Sequence, residues 1–208
     1  MMAPLITAGL NILVFLGSVR ENRNADRVKP LVIRALESAN LTLTVFDPKD
    51  FNYSKVVQPL HYYANQEDAP ESLKNFSKVI SKADGFVIVS PEYHGAIAPS
   101  LSTLMDQFPP LSYAYRPGAI VTYSKGRFGG VRAQTQLRTY LSELGMVHIP
   151  SVVSIAKVEE TVTKNGTTTN AQLLSSLDAL VEELVWFAKA VKNYKHKKQL
   201  LFKGKVWI

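Results

Sequence analysis

Short, continuously apolar runs alternate along this chain with stretches whose apolar residues recur every three or four positions. Residues 11–16 (NILVFL) are apolar almost throughout, as a strand covered on both faces must be. Residues 26–39 follow, with Val28, Leu31, Val32, Ala35 and Leu36 spaced along one side of a helix. Pro30 is tolerable there only near the helix start, where backbone donors are free. Residues 41–46 (LTLTVF) read as a second strand, and 85–90 (GFVIVS) as a third that Pro91 ends. Between them lie a long connection, 47–66, and a helix with the stripe Leu73, Phe76, Ile80 and Ala83. Pro99 opens a helix carrying Leu101, Leu104, Met105 and Phe108. Residues 119–123 (AIVTY) and 147–155 supply two further strands. The helix between them shows Ala133, Leu137, Tyr140, Leu141 and Leu144, with Gly145 as its stop. Asn165-Gly166 marks a turn, and Asn170 caps a last helix striped by Leu173, Leu177, Leu180, Leu184, Ala188 and Val191. Strands alternating with helices predict an α/β fold: a doubly wound, five-stranded parallel sheet with helices on both faces. Such sheets bind ligands beyond the carboxyl ends of their strands, at the switch point.

Composition sharpens this. The 208 residues, 46% hydrophobic and 20% charged, suit one core-bearing domain, placed at 1–193, followed by a basic tail at 194–208. There is no cysteine, which excludes disulfides, thiol catalysis and cysteine-ligated clusters, so any redox chemistry needs a bound cofactor. An intracellular, cytoplasmic protein fits that composition. No apolar run reaches the length of a membrane span, and the apolar N-terminus, lacking a positive leader, reads as structure. The net charge of +7 favours phosphorylated ligands; no recognition motif accompanies it, so nucleic acid is not expected.

Three unusual loops leave strands one, three and four. In 17–26 (GSVRENRNAD), Gly17 permits a tight exit, Ser18 offers a hydroxyl, and Arg20 and Arg23 offer guanidinium forks before a helix start. That is a phosphate cradle, or simply a polar turn with capping residues; neither GxxxxGK[ST] nor GxGxxG is present. In 90–98 (SPEYHGAIA), Tyr93 and His94 can pack beside a planar ring and Gly95 permits close approach; a surface or capping histidine is the plainer reading. No metal ligands stand at suitable spacing, and Ser90 lacks the setting of a nucleophile, so neither a metal site nor a catalytic side chain is expected. In 123–132 (YSKGRFGGVR), Gly126, Gly129 and Gly130 bring backbone close to something flat or anionic, or make a flexible turn.

At these residues the chain resembles the NADPH-dependent FMN reductase family, whose relatives include quinone, azo-dye and chromate reductases. The resemblance spans roughly residues 10–190. The family's GSxR opening matches Gly17, Ser18 and Arg20, with Arg23 three residues on. Its PEYNG motif is Pro91, Glu92, Tyr93, His94 and Gly95, with His94 in place of Asn. Its SxGxxGGxRA motif matches Ser124, Gly126, Gly129, Gly130, Arg132 and Ala133, and an LR…L…LG pattern follows at Leu137–Gly145. The resemblance implies a flavodoxin-like fold with strand order 2-1-3-4-5. It implies that Ser18, Arg20, Arg23, Asn24 and Ala25 hold an FMN phosphate. Pro91, Glu92, Tyr93, His94 and Gly95 would line the isoalloxazine ring, and Ser124, Lys125, Gly126, Gly129 and Gly130 would close its other side.

The activity so implied is hydride transfer from NADPH or NADH, through FMN, to a small acceptor such as a quinone, azo compound or flavin, by a homodimer or homotetramer. Arginines at the rim would read the 2′-phosphate of NADPH. Phe51, Tyr53, His61, Tyr62 and Tyr63 wall an acceptor pocket or belong to the core or an interface. Two other readings remain: a flavodoxin-like electron carrier that oxidises NADPH slowly, and a flavin-free regulatory descendant. Against the carrier stand the basic charge and the lack of a TxTGNT phosphate loop.

Overall fold

The computed structural model describes residues 9–51 and 58–197. Its strands are β1 (Asn11–Leu16), β2 (Thr42–Phe46), β3 (Gly85–Tyr93), β4 (Ala96–Ile97), β5 (Pro117–Tyr123) and β6 (Val147–Ile155). Its helices are α1 (Ala25–Glu37), α2 (Glu71–Lys82), α3 (Pro99–Asp106), α4 (Val131–Glu143), α5 (Val158–Thr161) and α6 (Ala171–Lys197). The long strands lie parallel in the order β2-β1-β3-β5-β6. That is the flavodoxin-like order expected, with one addition. The two-residue β4 pairs antiparallel with the end of β3 and shifts the numbering of the last two strands.

Period-two alternation sorts the strand residues into two cores. Ile12, Val14, Leu16, Val87, Val89, Val121 and Tyr123 face α1 and α6. Leu13, Phe15, Phe86, Ile88 and Ile120 face α2, α3 and α4. Aromatic edges fill the second core: Phe46 meets Phe15 at 5.3 Å and Phe76 at 4.3 Å between ring centroids. Phe51 joins them, 5.4 Å from Phe76, and is therefore core rather than pocket wall. His61 and Tyr62 are exposed and touch only at a tilt of 59°, and Tyr63 packs against the second core; Tyr53 lies outside the described residues.

Several boundaries differ from expectation for local reasons. Pro91 does not end β3. It sits in register with Tyr123 of β5, and the strand runs on to Tyr93 because Glu92 and Tyr93 gain a partner in β4. Pro30 sits inside α1 rather than at its start. A Cβ on Gly166 would lie 2.5 Å from Pro30 Cγ, so the turn at Gly166 (φ +74°) docks directly on that ring. Arg34 also donates to the Gly166 carbonyl, and Arg27 to Val162 O at 2.9 Å, which fastens the α5–α6 loop to α1. Gly145 stops α4 as expected: its φ is +72°, its N–H bonds to Ser142 O, and the Met146 N–H to Leu141 O. Asn170 Oδ1 accepts from the Leu173 N–H at 2.9 Å and caps α6, which continues past residue 193 to Lys197.

Candidate active site

β1 has β2 on one side and β3 on the other, and the chain crosses over between them. The switch point therefore lies at the carboxyl ends of β1 and β3. A crevice of about 390 Å³ opens there, lined by Ser18, Arg20, Glu21, Asn22, Arg23, Asn24, Pro91, Glu92, Tyr93, Tyr123, Ser124, Lys125 and Gly126. The fold thus brings together parts of all three loops singled out in the sequence.

The first loop leaves β1 pressed against β3. The Gly17 N–H bonds to Val89 O at 2.9 Å, and a Cβ on Gly17 would stand 3.1 Å from Pro91 Cδ and Ser90 Cα. Ser18, buried, places its Oγ 2.6 Å from the Tyr93 hydroxyl. The Arg20 guanidinium lies on the Tyr93 ring, 3.6 Å from its centroid. Asn22 takes a left-handed conformation (φ +50°) that turns the chain into α1. Among the described residues no side chain caps α1; the Asp26, Arg27 and Val28 amides bond to the Arg23 and Asn24 carbonyls, so what the helix start offers an anion is its positive dipole end. Ala25 is buried as the first residue of α1 and does not line the crevice.

Arg23 differs from expectation. Its side chain is only 5% exposed, and it turns inward. Its guanidinium donates to both carboxylate oxygens of Asp47, to Asp26 at 2.9 Å and to the Ser18 carbonyl. Burial opposes its charge, but the hydrogen bonds it donates to Asp47 and Asp26 outweigh this and raise its pKa. Burial likewise pushes the Asp47 carboxyl up, yet Arg23 and the Lys49 N–H hold it below its ordinary 3.8. With those donors committed, Arg23 is a strut that ties the first loop to the end of β2.

In the second loop, Pro91, Glu92 and Tyr93 line the crevice, whereas His94 and Gly95 do not. They form the two-residue turn of the β3–β4 hairpin, both with positive φ (+51° and +77°). Such a turn demands left-handed residues, and Asn-Gly is its preferred pair. The exposed His94 therefore occupies a turn position where Asn would serve the backbone, not the ring. Glu92 also serves the scaffold. Its Oε2 accepts from the N–H groups of Arg132 (2.9 Å) and Ala133 (3.3 Å), capping α4, while Oε1 pairs with Arg132 Nη1 at 3.1 Å.

In the third loop, Ser124, Lys125 and Gly126 line the crevice. Gly129 and Gly130 stand behind it as packing glycines. Both have positive φ, and a Cβ would come within 2.9 Å of the β6 backbone at Gly129 or of Thr122 Cβ at Gly130. Lys125 reaches Glu159 at 2.9 Å, and Asn24 Nδ2 donates to the same carboxylate at 3.1 Å. Hydrogen bonds from Lys125 first and Asn24 second hold that carboxyl below the ordinary range. Glu159 thus bridges loops one and three.

Tyr123 is the site residue least visible beforehand. It is 3% exposed, and its hydroxyl has no hydrogen-bond partner among the described residues, yet it stands in the crevice wall. Burial raises its pKa, so it remains an O–H donor at neutral pH. In the sequence it is the last letter of an apolar strand and the first of the third loop, with no role of its own. Its one signal is the position itself, the carboxyl end of a strand beside the switch point. Glu21, Asn22 and Glu159 were likewise not singled out.

Comparisons with known proteins identify relatives of this chain. The chain is 29% identical over 152 residues to the NADH:(hydroxy)cinnamate reductase subunit CrdA of Vibrio ruber, covering 71% of this chain and 75% of that one. It is 30% identical over 138 residues to a quinone reductase of Escherichia coli K12, covering 64% and 69% respectively. Among solved structures, the flavoenzyme NAD(P)H:(acceptor) oxidoreductase FerB of Paracoccus denitrificans shares the fold, with a TM-score of 0.73 and 21% identity over 88% of this chain and 98% of that one. Residues 10–160 match the family described as NADPH-dependent FMN reductase. A match over that much of a 208-residue chain makes the protein a member of the NADPH-dependent FMN reductase family.

Proposed function

We propose that the protein is an NAD(P)H-dependent FMN oxidoreductase that reduces a small acceptor such as a quinone, azo compound or free flavin. The observation that carries this reading is the Tyr123 hydroxyl, a buried donor without a partner among the described residues, in a switch-point crevice that also holds the start of α1. A hydroxyl donor and a positive helix end match an anionic phosphate, and the same crevice is lined by Tyr93 and Ser124–Gly126, which suit a flat ring. Bound FMN would supply the hydride chemistry between a reduced nicotinamide and the acceptor.

The chain's own residues bind and orient. Ser18, Tyr123 and the amides around Asn24 hold the phosphate, and Arg20 supplies positive charge. Arg23 and Asp47 fix the loop that presents them. Pro91, Glu92 and Tyr93 form one wall for the ring, and Ser124, Lys125 and Gly126 the other. His94, Gly95, Gly129 and Gly130 act on that geometry through the backbone. No side chain has to act as a nucleophile. Residues 1–193 would make up the FMN-binding domain; of the basic tail at 194–208, residues 198–208 lie outside the described residues.

The test is a titration of the purified protein with FMN, then NADPH consumption with and without a quinone. Rapid quinone-dependent oxidation is expected. FMN binding without it would favour the electron-carrier reading; no FMN binding would overturn both. A cytoplasmic homodimer or homotetramer completes the proposal on the strength of the family resemblance, and light scattering checks the assembly. No described helix is long and apolar enough to cross a membrane.

A further inference from the structure

Between its first glycine and its glycine pair the SxGxxGGxRA pattern leaves two positions open, and here they are Arg127 and Phe128. Phe128 is 47% exposed. The guanidinium of Arg127 lies 4.7 Å from its ring centroid, and that of Arg132 lies 5.0 Å away. The cluster adjoins the crevice on two sides. Gly126 precedes it in the crevice wall, and Arg132 is paired at 3.1 Å with Glu92, which lines the same wall.

Two features mark this cluster as more than surface decoration. First, the backbone beneath it is fastened. Gly126 O accepts from the Lys157 N–H at 2.9 Å, Gly129 O accepts from Thr122 Oγ1 at 2.9 Å, and Gly129 packs directly on the β6 backbone. A loop held this rigidly presents its side chains with little further entropy to lose on binding. Second, the charges are unequal. Lys125 is paired with Glu159 and Arg132 with Glu92, whereas among the described residues no carboxylate pairs with Arg127. An uncompensated planar fork beside an exposed aromatic ring suits a ligand that joins a flat base to a phosphate dianion.

We propose that Arg127 and Phe128 form the adenosine subsite for the reduced nicotinamide, with Arg127 reading the 2′-phosphate that distinguishes NADPH from NADH and Phe128 supporting the adenine. This inference rests on the oxidoreductase reading given above, and it is tested in part without FMN. Calorimetric titration of the wild-type protein should show adenosine 2′,5′-bisphosphate binding more tightly than adenosine 5′-monophosphate. Arg127→Ala should remove that difference, and Arg127→Lys should restore part of it. In the FMN-loaded enzyme, Arg127→Ala should lower the ratio of kcat/KM for NADPH to that for NADH about tenfold, the worth of a charge-assisted contact at a solvent-exposed rim. Phe128→Leu should raise KM for both nicotinamides and leave the ratio in place. Equal binding of the two adenosine phosphates by wild type, or a ratio that Arg127→Ala does not move, overturns the proposal. Failure of the wild type to hold FMN would overturn the oxidoreductase reading alone, because the adenosine phosphate titrations do not depend on it.

Discussion

Replacing Tyr123 with phenylalanine sets two effects of opposite sign against each other. The hydroxyl is buried at the end of β5 with no partner among the described residues, so the free protein bears its desolvation. An unsatisfied buried polar group costs about 1–3 kcal/mol. Removing the oxygen leaves the ring packed against the first core and creates a void of only one atom. The net effect is a gain of about 1 kcal/mol in the ligand-free protein, or roughly 2–4 °C in Tm for a chain of this size. With FMN the sign reverses. A hydrogen bond to a charged oxygen contributes about 1.5–3 kcal/mol, so the variant should bind FMN on the order of ten- to a hundredfold more weakly. Differential scanning fluorimetry without ligand and flavin-fluorescence quenching with it measure the two terms separately. A ligand-free variant less stable than wild type would show that the hydroxyl has a partner worth keeping. Unchanged FMN affinity would remove Tyr123 from the phosphate site. Either result refutes the reasoning.

Other expectations concern the scaffold around the crevice. Asp47→Ala leaves the Arg23 guanidinium buried with only Asp26 and a carbonyl as acceptors, so it should lose about 3 kcal/mol in urea denaturation; a loss below 1 kcal/mol would make the pair incidental. Because the folded Asp47 carboxyl titrates below 3.8, the stability it confers is complete above about pH 4 and is lost as acid protonates it; acid titration of wild type and Asp47→Asn should diverge in that direction only. Gly130→Ala forces a methyl to within 2.9 Å of Thr122 Cβ at φ +89° and should cost about 2 kcal/mol or more, read as a drop in Tm. His94→Asn relieves the hairpin turn, and should raise stability by about 0.5 kcal/mol while FMN affinity stays within twofold; a large change in affinity would place His94 at the ring after all.

How much of this was legible beforehand varies by element. The central strands β1, β3 and β5 followed from apolar runs such as 11–16, because burial on both faces leaves no polar alternation, while the edge strands β2 and β6 stay partly exposed; the covering helices followed from stripes such as Leu173–Ala188. The loops were legible as loops, since Gly17, Gly95 and Gly126–Gly130 stand where a chain must turn or approach closely. The residues doing each job were less so. Arg23 looks like a phosphate ligand in sequence, and only the fold brings Asp47, 24 residues on, to consume its donors. Glu92 caps a helix that begins 39 residues later, and Glu159 closes a bridge to Asn24 across the crevice.

Local pattern therefore determined the strands, the helices, the sheet class and the edge at which a ligand must sit, because side-chain period and turn chemistry act between near neighbours. Tertiary structure alone decided which polar groups are already satisfied and which are left over. A hydrogen-bonding group has no fixed partner in sequence; its donors are spent or spare only once distant carboxylates, carbonyls and amides have been brought to it.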